Sequence, residues 1–198
     1  MYSIVCGVDA FGRKLLKGLL KKGHEVVAVE KNEEVAQEVH AESNAVVING
    51  DPTSPIVLEQ AGAGKADVLI ANLATDVENL ALCVLAKKYG VAYVIANVHD
   101  PDYSEAFKIA GVDKMLAAVD SLYEELINVI ENPSVKKSVE IGEEHKLFVV
   151  DSDANDRVAG KRPGELEEKN KGLKFLATLK GGEYSNSRQA KIPGDCLV

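Results

Sequence analysis

Tryptophan is absent from this 198-residue sequence, methionine occurs twice and cysteine three times. Cys6, Cys83 and Cys196 are odd in number, far apart and set among apolar residues. They offer neither a disulfide framework nor a metal-binding spacing, and read as buried, reduced thiols of a cytosolic protein. His24, His40, His99 and His145 are equally scattered and lack ligand spacing. Basic charge is also short: 23 Lys and Arg face 31 Asp and Glu, a net charge of −8. Nothing in that balance supplies the basic patch that a phosphate backbone requires, which argues against a nucleic-acid partner. No apolar run exceeds the length of a strand, so no segment is expected to span a membrane. The first residues lead straight into a strand, with no secretory n-region or cleavage site.

What the sequence does contain is one short loop, Gly7-Val8-Asp9-Ala10-Phe11-Gly12, between two strongly patterned stretches. Ile4, Val5 and Cys6 precede it as a strand; Leu15, Leu16, Leu19 and Leu20 follow at helical spacing. A second apolar run, Val26 to Val29, ends in Glu30, eighteen residues past Gly12. Strand, glycine loop, helix, strand and terminal acid are the parts of a dinucleotide-binding βαβ unit. There the helix N-terminus faces a pyrophosphate and the acid hydrogen-bonds ribose hydroxyls. The middle glycine of that pattern is replaced by Asp9. Its β-carbon fills the space through which phosphate approaches, and its carboxylate repels the ligand's charge. Aspartate tolerates a left-handed backbone, so the turn itself is expected to survive.

Along the rest of the chain, strands and helices alternate. The pattern predicts a helix over Lys14–Lys22 stopped by Gly23, and one over Glu33–Glu42 capped by Asn32. Ala45–Ile48 reads as a third strand, and Gly50-Asp51-Pro52-Thr53 turns into a helix near Pro55–Ala61. Val68–Ile70 follows as a strand, then a long helix from about Asp76 through Ala86. Tyr93–Ala96, a helix over Ser104–Ala110, a short strand at Met115-Leu116 and a helix over Ser121–Ile130 complete the series. Apolar strands without alternation, separated by amphipathic helices, predict a Rossmann-like α/β fold, a doubly wound parallel sheet covered on both faces. Asn132-Pro133 breaks the rhythm and places a domain boundary between 132 and 133. Beyond it, strands at Leu147–Val150 and Leu173–Leu179, a polar stretch at 151–157, a short helix within Gly160–Leu166, a Gly181-Gly182 hairpin and a last strand from Ile192 suggest a small α+β module.

Taken together, these residues resemble the TrkA/KtrA-type regulators of potassium transport, built from an RCK (KTN) domain followed by a TrkA-C domain. Over residues 2–130 the resemblance rests on G-V-D-A-F-G, the strand ending in Glu30-Lys31, G-D-P-T at 50–53, D-V-E-N at 76–79 and V-I-A-N-V-H-D-P at 94–101. In the second part it rests on A-G-K-x-x-x-E-L at 159–166 and P-G-D-x-L at 193–197. The resemblance implies a nucleotide-binding TrkA-N domain over 1–132 and a TrkA-C-like domain over 133–198. It implies NAD(H) or an adenine nucleotide (AMP, ADP or ATP) at the carboxyl ends of the strands. Gly7, Val8, Asp9, Ala10, Phe11 and Gly12 would form the phosphate loop, with Glu30 and Lys31 at the ribose. Asp51, Pro52 and Thr53 would lie around the adenine, with Asn72, Leu73 and Asn97 lining the inner side.

Related loops often carry arginine where Ala10 stands, so both departures, Asp9 and Ala10, subtract attraction for anions. The resemblance further implies a non-enzymatic, cytoplasmic protein, peripheral at the inner face of the membrane. Its partner would be a membrane potassium transporter or channel subunit, and its helices around Ser104–Ala110 and Ser121–Ile130 would build a homodimer or higher ring. A regulator of another cation transporter or antiporter is the alternative. An NAD-dependent oxidoreductase would need a substrate domain and an acid–base residue beside the nicotinamide, and no Tyr-x-x-x-Lys pair supplies one.

Overall fold

The computed structural model describes residues 1–43, 45–131, 135–141, 145–150, 159–169, 174, 176–180, 183–186 and 192. The chain divides into two compact units, Met1–Val119 and Asp120–Val198. That division falls ahead of the 132/133 boundary expected from Asn132-Pro133, a pair that lies outside the described residues.

The first unit is a six-stranded sheet of β1 (Tyr2–Cys6), β2 (Glu25–Glu30), β3 (Val46–Asn49), β4 (Val68–Ala71), β5 (Tyr93–Asn97) and β6 (Lys114–Leu116). All its pairs are parallel and the strand order is β3-β2-β1-β4-β5-β6. Helices α1 (Ala10–Lys21), α2 (Glu33–Glu42), α3 (Pro55–Gln60), α4 (Asp76–Lys88) and α5 (Ser104–Ile109) connect the strands. Such an order reverses direction between β1 and β4, which opens a crevice at the carboxyl ends of those strands.

Both faces of the sheet are buried, as the unbroken apolar strands require. Ile4, Cys6, Val29, Leu69 and Val94 pack with Leu58, Leu82, Cys83 and Phe107 on one side. Val5, Val26, Ala28 and Ile70 pack with Leu16 and Val39 on the other. Cys6 and Cys83 are thus core residues; burial pushes both thiols up, Cys83 to about 12.

Helix α1 begins at Ala10, four residues before the expected Lys14, because Asp9 caps it and its first turn starts inside the glycine loop. Asn32 caps α2 as expected, its side chain accepting the Val35 N–H. Thr75 caps α4 by accepting the Glu78 N–H.

Helix α6 (Ala118–Glu131) runs longer at both ends than the expected Ser121–Ile130. Beyond it, β7 (Val135–Ile141) pairs antiparallel with β8 (His145–Val150). A short helix, α7 (Pro163–Lys169), precedes β9 (Thr178–Lys180), which pairs antiparallel with β10 (Glu183–Ser185). The expected strand over Leu173–Leu179 is therefore displaced to 178–180, while residues 174, 176 and 177 are not in a strand. The polar stretch 151–157, Gly181-Gly182 and residues 193–198, with Cys196, lie outside the described residues. Among the described residues, no helix is long and apolar enough to cross a membrane.

Candidate functional site

At the crevice, three backbone segments meet too closely for side chains. Gly7 has φ +90, a conformation that side-chain-bearing residues rarely adopt, and a β-carbon there would strike the carbonyl of Asn72. A β-carbon at Gly12 would strike the carbonyl of Gly7. The first turn of α1 is therefore seated on the loop, and the loop on the exit of β4. Two backbone bonds fix the seat: Gly7 N donates to Val29 O and Asn72 N to Cys6 O, both at 2.9 Å.

Asp9 sits at φ −62, ψ −169, an extended conformation, so the left-handed tolerance expected of it is not used; Gly7 alone turns the loop. The Asp9 carboxylate folds back over the helix start. Its Oδ1 accepts the Gly12 N–H at 2.9 Å and the Asn72 side-chain amide at 2.8 Å. Glu30 also turns toward the loop: Oε2 accepts the Val8 N–H at 3.0 Å, and Oε1 accepts the Asn32 N–H at 2.9 Å. Arg13 holds the loop carbonyl of Val8 through Nε at 3.3 Å and pairs with Glu38 at 2.6 Å and Glu42 at 3.4 Å.

Lys31 reaches across to α4 and pairs with Glu78 at 2.9 Å. The hydrogen bond with Lys31 comes first among the causes that lower the Glu78 carboxyl, followed by that from the Thr75 hydroxyl. Asp51 and Thr53 form a closed turn: Asp51 Oδ1 accepts the Thr53 N–H at 2.8 Å and its hydroxyl at 2.7 Å. Those two bonds hold the Asp51 carboxyl below its ordinary value, with a smaller contribution from the charge of Lys31. Pro52 is buried between them. Ala10 and Phe11 are exposed.

Asn72 is the centre of the inner side. Its amide nitrogen donates to Gly7 O at 3.3 Å as well as to Asp9, and its Oδ1 accepts the Asn97 amide at 3.1 Å. Asn97 Oδ1 is buried without a hydrogen-bond partner among the described residues. Leu73 is half-buried and is held through its backbone by Asn79, whose Oδ1 accepts the Leu73 N–H at 2.7 Å.

Of the expected site residues, Gly7, Asp9, Gly12, Asn72 and Asn97 thus form one bonded group. Val8 and Glu30 are joined to each other, Lys31 is drawn to α4, and Asp51–Thr53 is bonded within itself.

Three supporting residues were not anticipated as site residues. Asn79 is fully buried and, besides its bond from Leu73, donates to Leu73 O at 3.2 Å and Asn97 O at 2.9 Å. Asp76 accepts the N–H groups of His99 and Asp100, both at 2.9 Å. Asn49 donates to the carbonyls of Glu30 and Lys31 at 3.0 and 3.3 Å. A signal for the first two lies in the sequence: Asp76 and Asn79 stand on the same helical stripe as Leu82, Cys83 and Ala86, where polar residues need buried partners.

The strand order and the glycine loop define a Rossmann-type domain of the nucleotide-binding architecture. A family model described as the TrkA-N domain matches residues 3–118. A Trk system potassium uptake protein TrkA homolog of Methanothermobacter thermautotrophicus is 30% identical over 171 residues, 86% of this chain and 79% of that protein. Another of the same description, from Pyrococcus abyssi, is 33% identical over 54% of this chain and 48% of its own length. The chain belongs to the TrkA-N family, among the TrkA-type regulators of potassium transport.

Solved structures share the fold at lower identity. The GsuK channel bound to NAD covers 99% of this chain with 36% of its own, at 23% identity and TM-score 0.71. GsuK bound to ADP matches 67% of this chain and 35% of its own at 24% identity, TM-score 0.59. The Shewanella denitrificans Kef CTD in AMP-bound form matches 67% of this chain and 83% of its own at 21% identity, TM-score 0.57.

Proposed function

We propose that this chain is a non-enzymatic regulatory subunit of a membrane potassium uptake system, acting on its cytosolic side and peripheral to the membrane through its partner. Its crevice binds NAD(H) or an adenine nucleotide (AMP, ADP or ATP). The observation that carries this reading is the 30% identity across 79% of a Trk system potassium uptake protein TrkA homolog, joined to a glycine loop seated at the switch point of a parallel sheet. Relatives in fold are described as bound to NAD, ADP and AMP.

In this reading the loop from Gly7 to Gly12 faces the 5′ end of the ligand and Glu30 takes the ribose hydroxyls. Lys31 stands beside Glu30 and the Asp51-Pro52-Thr53 turn lies toward the adenine, with Asn72, Leu73 and Asn97 lining the inner side. Residues 133–198 supply a TrkA-C-like regulatory part. The apolar face of α6 joins two copies into a homodimer or part of a ring. A ligand then acts by binding two arrangements of that assembly with different affinity, which is all that coupling to a transporter requires.

Calorimetric titration with NAD+, NADH, AMP, ADP and ATP, together with potassium flux in cells lacking the protein, tests the two halves separately. Saturable binding of at least one ligand and altered flux are expected. Unchanged flux overturns the transport role, and absence of all binding overturns the nucleotide site.

A further inference from the structure

We propose that Asp9 is a specificity-determining residue that sets the crevice against phosphate. Affinity then falls as negative charge accumulates at the ligand's 5′ end: adenosine above AMP, AMP above ADP, ADP above ATP. The inference rests on the nucleotide reading of the crevice and sharpens it, because it makes the nucleoside the recognised part and the phosphates a penalty.

Three features of the site carry it. First, two N–H groups of the loop already have anionic partners here. Gly12 N–H is taken by Asp9 and Val8 N–H by Glu30. A phosphate approaching the start of α1 meets a carboxylate where the fold ordinarily presents free donors and a positive dipole end.

Second, the amide chain behind the loop is oriented by that carboxylate. Asn72 faces two acceptors, Gly7 O and Asp9 Oδ1, so its nitrogen must point at the loop and its oxygen at Asn97. Asn97 then leaves its own oxygen buried and without a donor among the described residues. The unmet group beside the loop is an acceptor, which suits a hydroxyl or amino group and not a phosphate oxygen.

Third, two of the cations near the loop are paired with carboxylates outside it. Arg13 pairs with Glu38 and Glu42, and Lys31 with Glu78. Ala10 carries no charge with which to replace them. The ribose and adenine donate hydrogen bonds, so the same acceptors that oppose phosphate favour the nucleoside.

Asp9→Asn isolates the charge. Asparagine is as good a helix cap as aspartate, and its oxygen can accept the same Gly12 and Asn72 hydrogens. The affinities of adenosine, AMP, ADP and ATP are measured by calorimetry at one ionic strength, without divalent cations, for the native protein and for Asp9→Asn. The native protein is expected to bind adenosine at least roughly tenfold more tightly than ADP. Asp9→Asn is expected to tighten ADP relative to adenosine by about tenfold, the scale of one screened charge contact in a partly desolvated site.

An ADP affinity equal to or above that of adenosine in the native protein overturns the inference while leaving the nucleotide site standing. So does an adenosine-to-ADP ratio that Asp9→Asn does not move. Failure of every adenine ligand to bind either protein overturns the nucleotide reading, and this inference with it. The native ranking remains decisive should melting show that Asp9→Asn disturbs the fold.

Discussion

The loop at the end of β1 and the helix α6 are built in opposite ways. Around the loop, polar groups lie close together and almost all are answered from within the chain: Asp9 by Gly12 and Asn72, Glu30 by Val8 and Asn32, Asn79 by Leu73 and Asn97. On α6, Val119, Leu122, Leu126, Val129 and Ile130 recur at helical spacing and are all more than half exposed. Buried polar groups must find partners inside the fold, because an unmet one costs roughly 1–3 kcal/mol. An apolar stripe can instead be covered by a second copy, and a stripe of this size is uncommon on a protein that works alone. The crevice answers its polar groups from within the chain, Asn97 Oδ1 excepted, whereas the apolar stripe of α6 is left exposed.

The largest way to break this contrast is at the seat of the loop. Gly7→Ala must adopt φ +90 and drive a methyl group into the Asn72 carbonyl. A loss on the order of 4 kcal/mol is expected, read as a fall in the urea midpoint. Gly18, inside α1 with nothing within 4 Å of an added methyl group, is the control: Gly18→Ala should hold or raise the midpoint. Asn79→Ala comes next. It leaves Leu73 N–H, Leu73 O and Asn97 O without their side-chain partner, at a cost of about 2–3 kcal/mol. Ligand affinity should weaken with it, since Leu73 and Asn97 lose their tether. On the opposite side of the comparison, Leu126→Glu should leave the unfolding midpoint of unit 1 in place. It should weaken self-association by roughly 30-fold or more, as for a central apolar contact, measured by light scattering across a dilution series. A native protein that is monomeric at micromolar concentration would falsify the dimer.

The fold was legible because its signals are local. Gly7, Gly12 and the leucines at 15, 16, 19 and 20 define a turn and a helix without reference to the rest of the chain. Glu30 could be placed by its distance from the loop. Its bond to Val8 N–H could not, since the partner is 22 residues away in sequence and on another strand's exit. Asp9 shows the limit most clearly. Read as a charge in place of a glycine, it suggested an intact turn with less attraction for phosphate; in three dimensions it is also the cap that starts α1 four residues early. Asn79 and Asp76 were missed as site residues because what they hold, the Asn97 carbonyl and the His99 and Asp100 N–H groups, belongs to a different strand exit. Periodicity likewise revealed an apolar face on α6. The Asn132-Pro133 breaker sets the expected boundary past that helix, which straddles the division between the compact units.

The smallest test separates scaffold from crevice by pH. Asp113, just ahead of β6, accepts hydrogen bonds from Lys87 and from the Val94 N–H, at the end of the sheet opposite the loop. The Lys87 bond first, and then the Val94 N–H, hold its carboxyl below the ordinary value. A carboxyl lowered in the folded state contributes stability that is present above its unfolded value, near 3.9. That contribution disappears as pH falls through the lower folded value. The native protein should therefore lose stability below about pH 4 in part through Asp113, and Asp113→Asn should flatten that part of the curve. Because the pair is partly solvated, the difference at neutral pH should stay under about 1 kcal/mol. Ligand affinity at neutral pH should not change, since Asp113 touches none of the crevice residues. A change in affinity would mean that the two ends of the sheet are coupled, and that the crevice is not closed upon itself as its hydrogen bonds suggest.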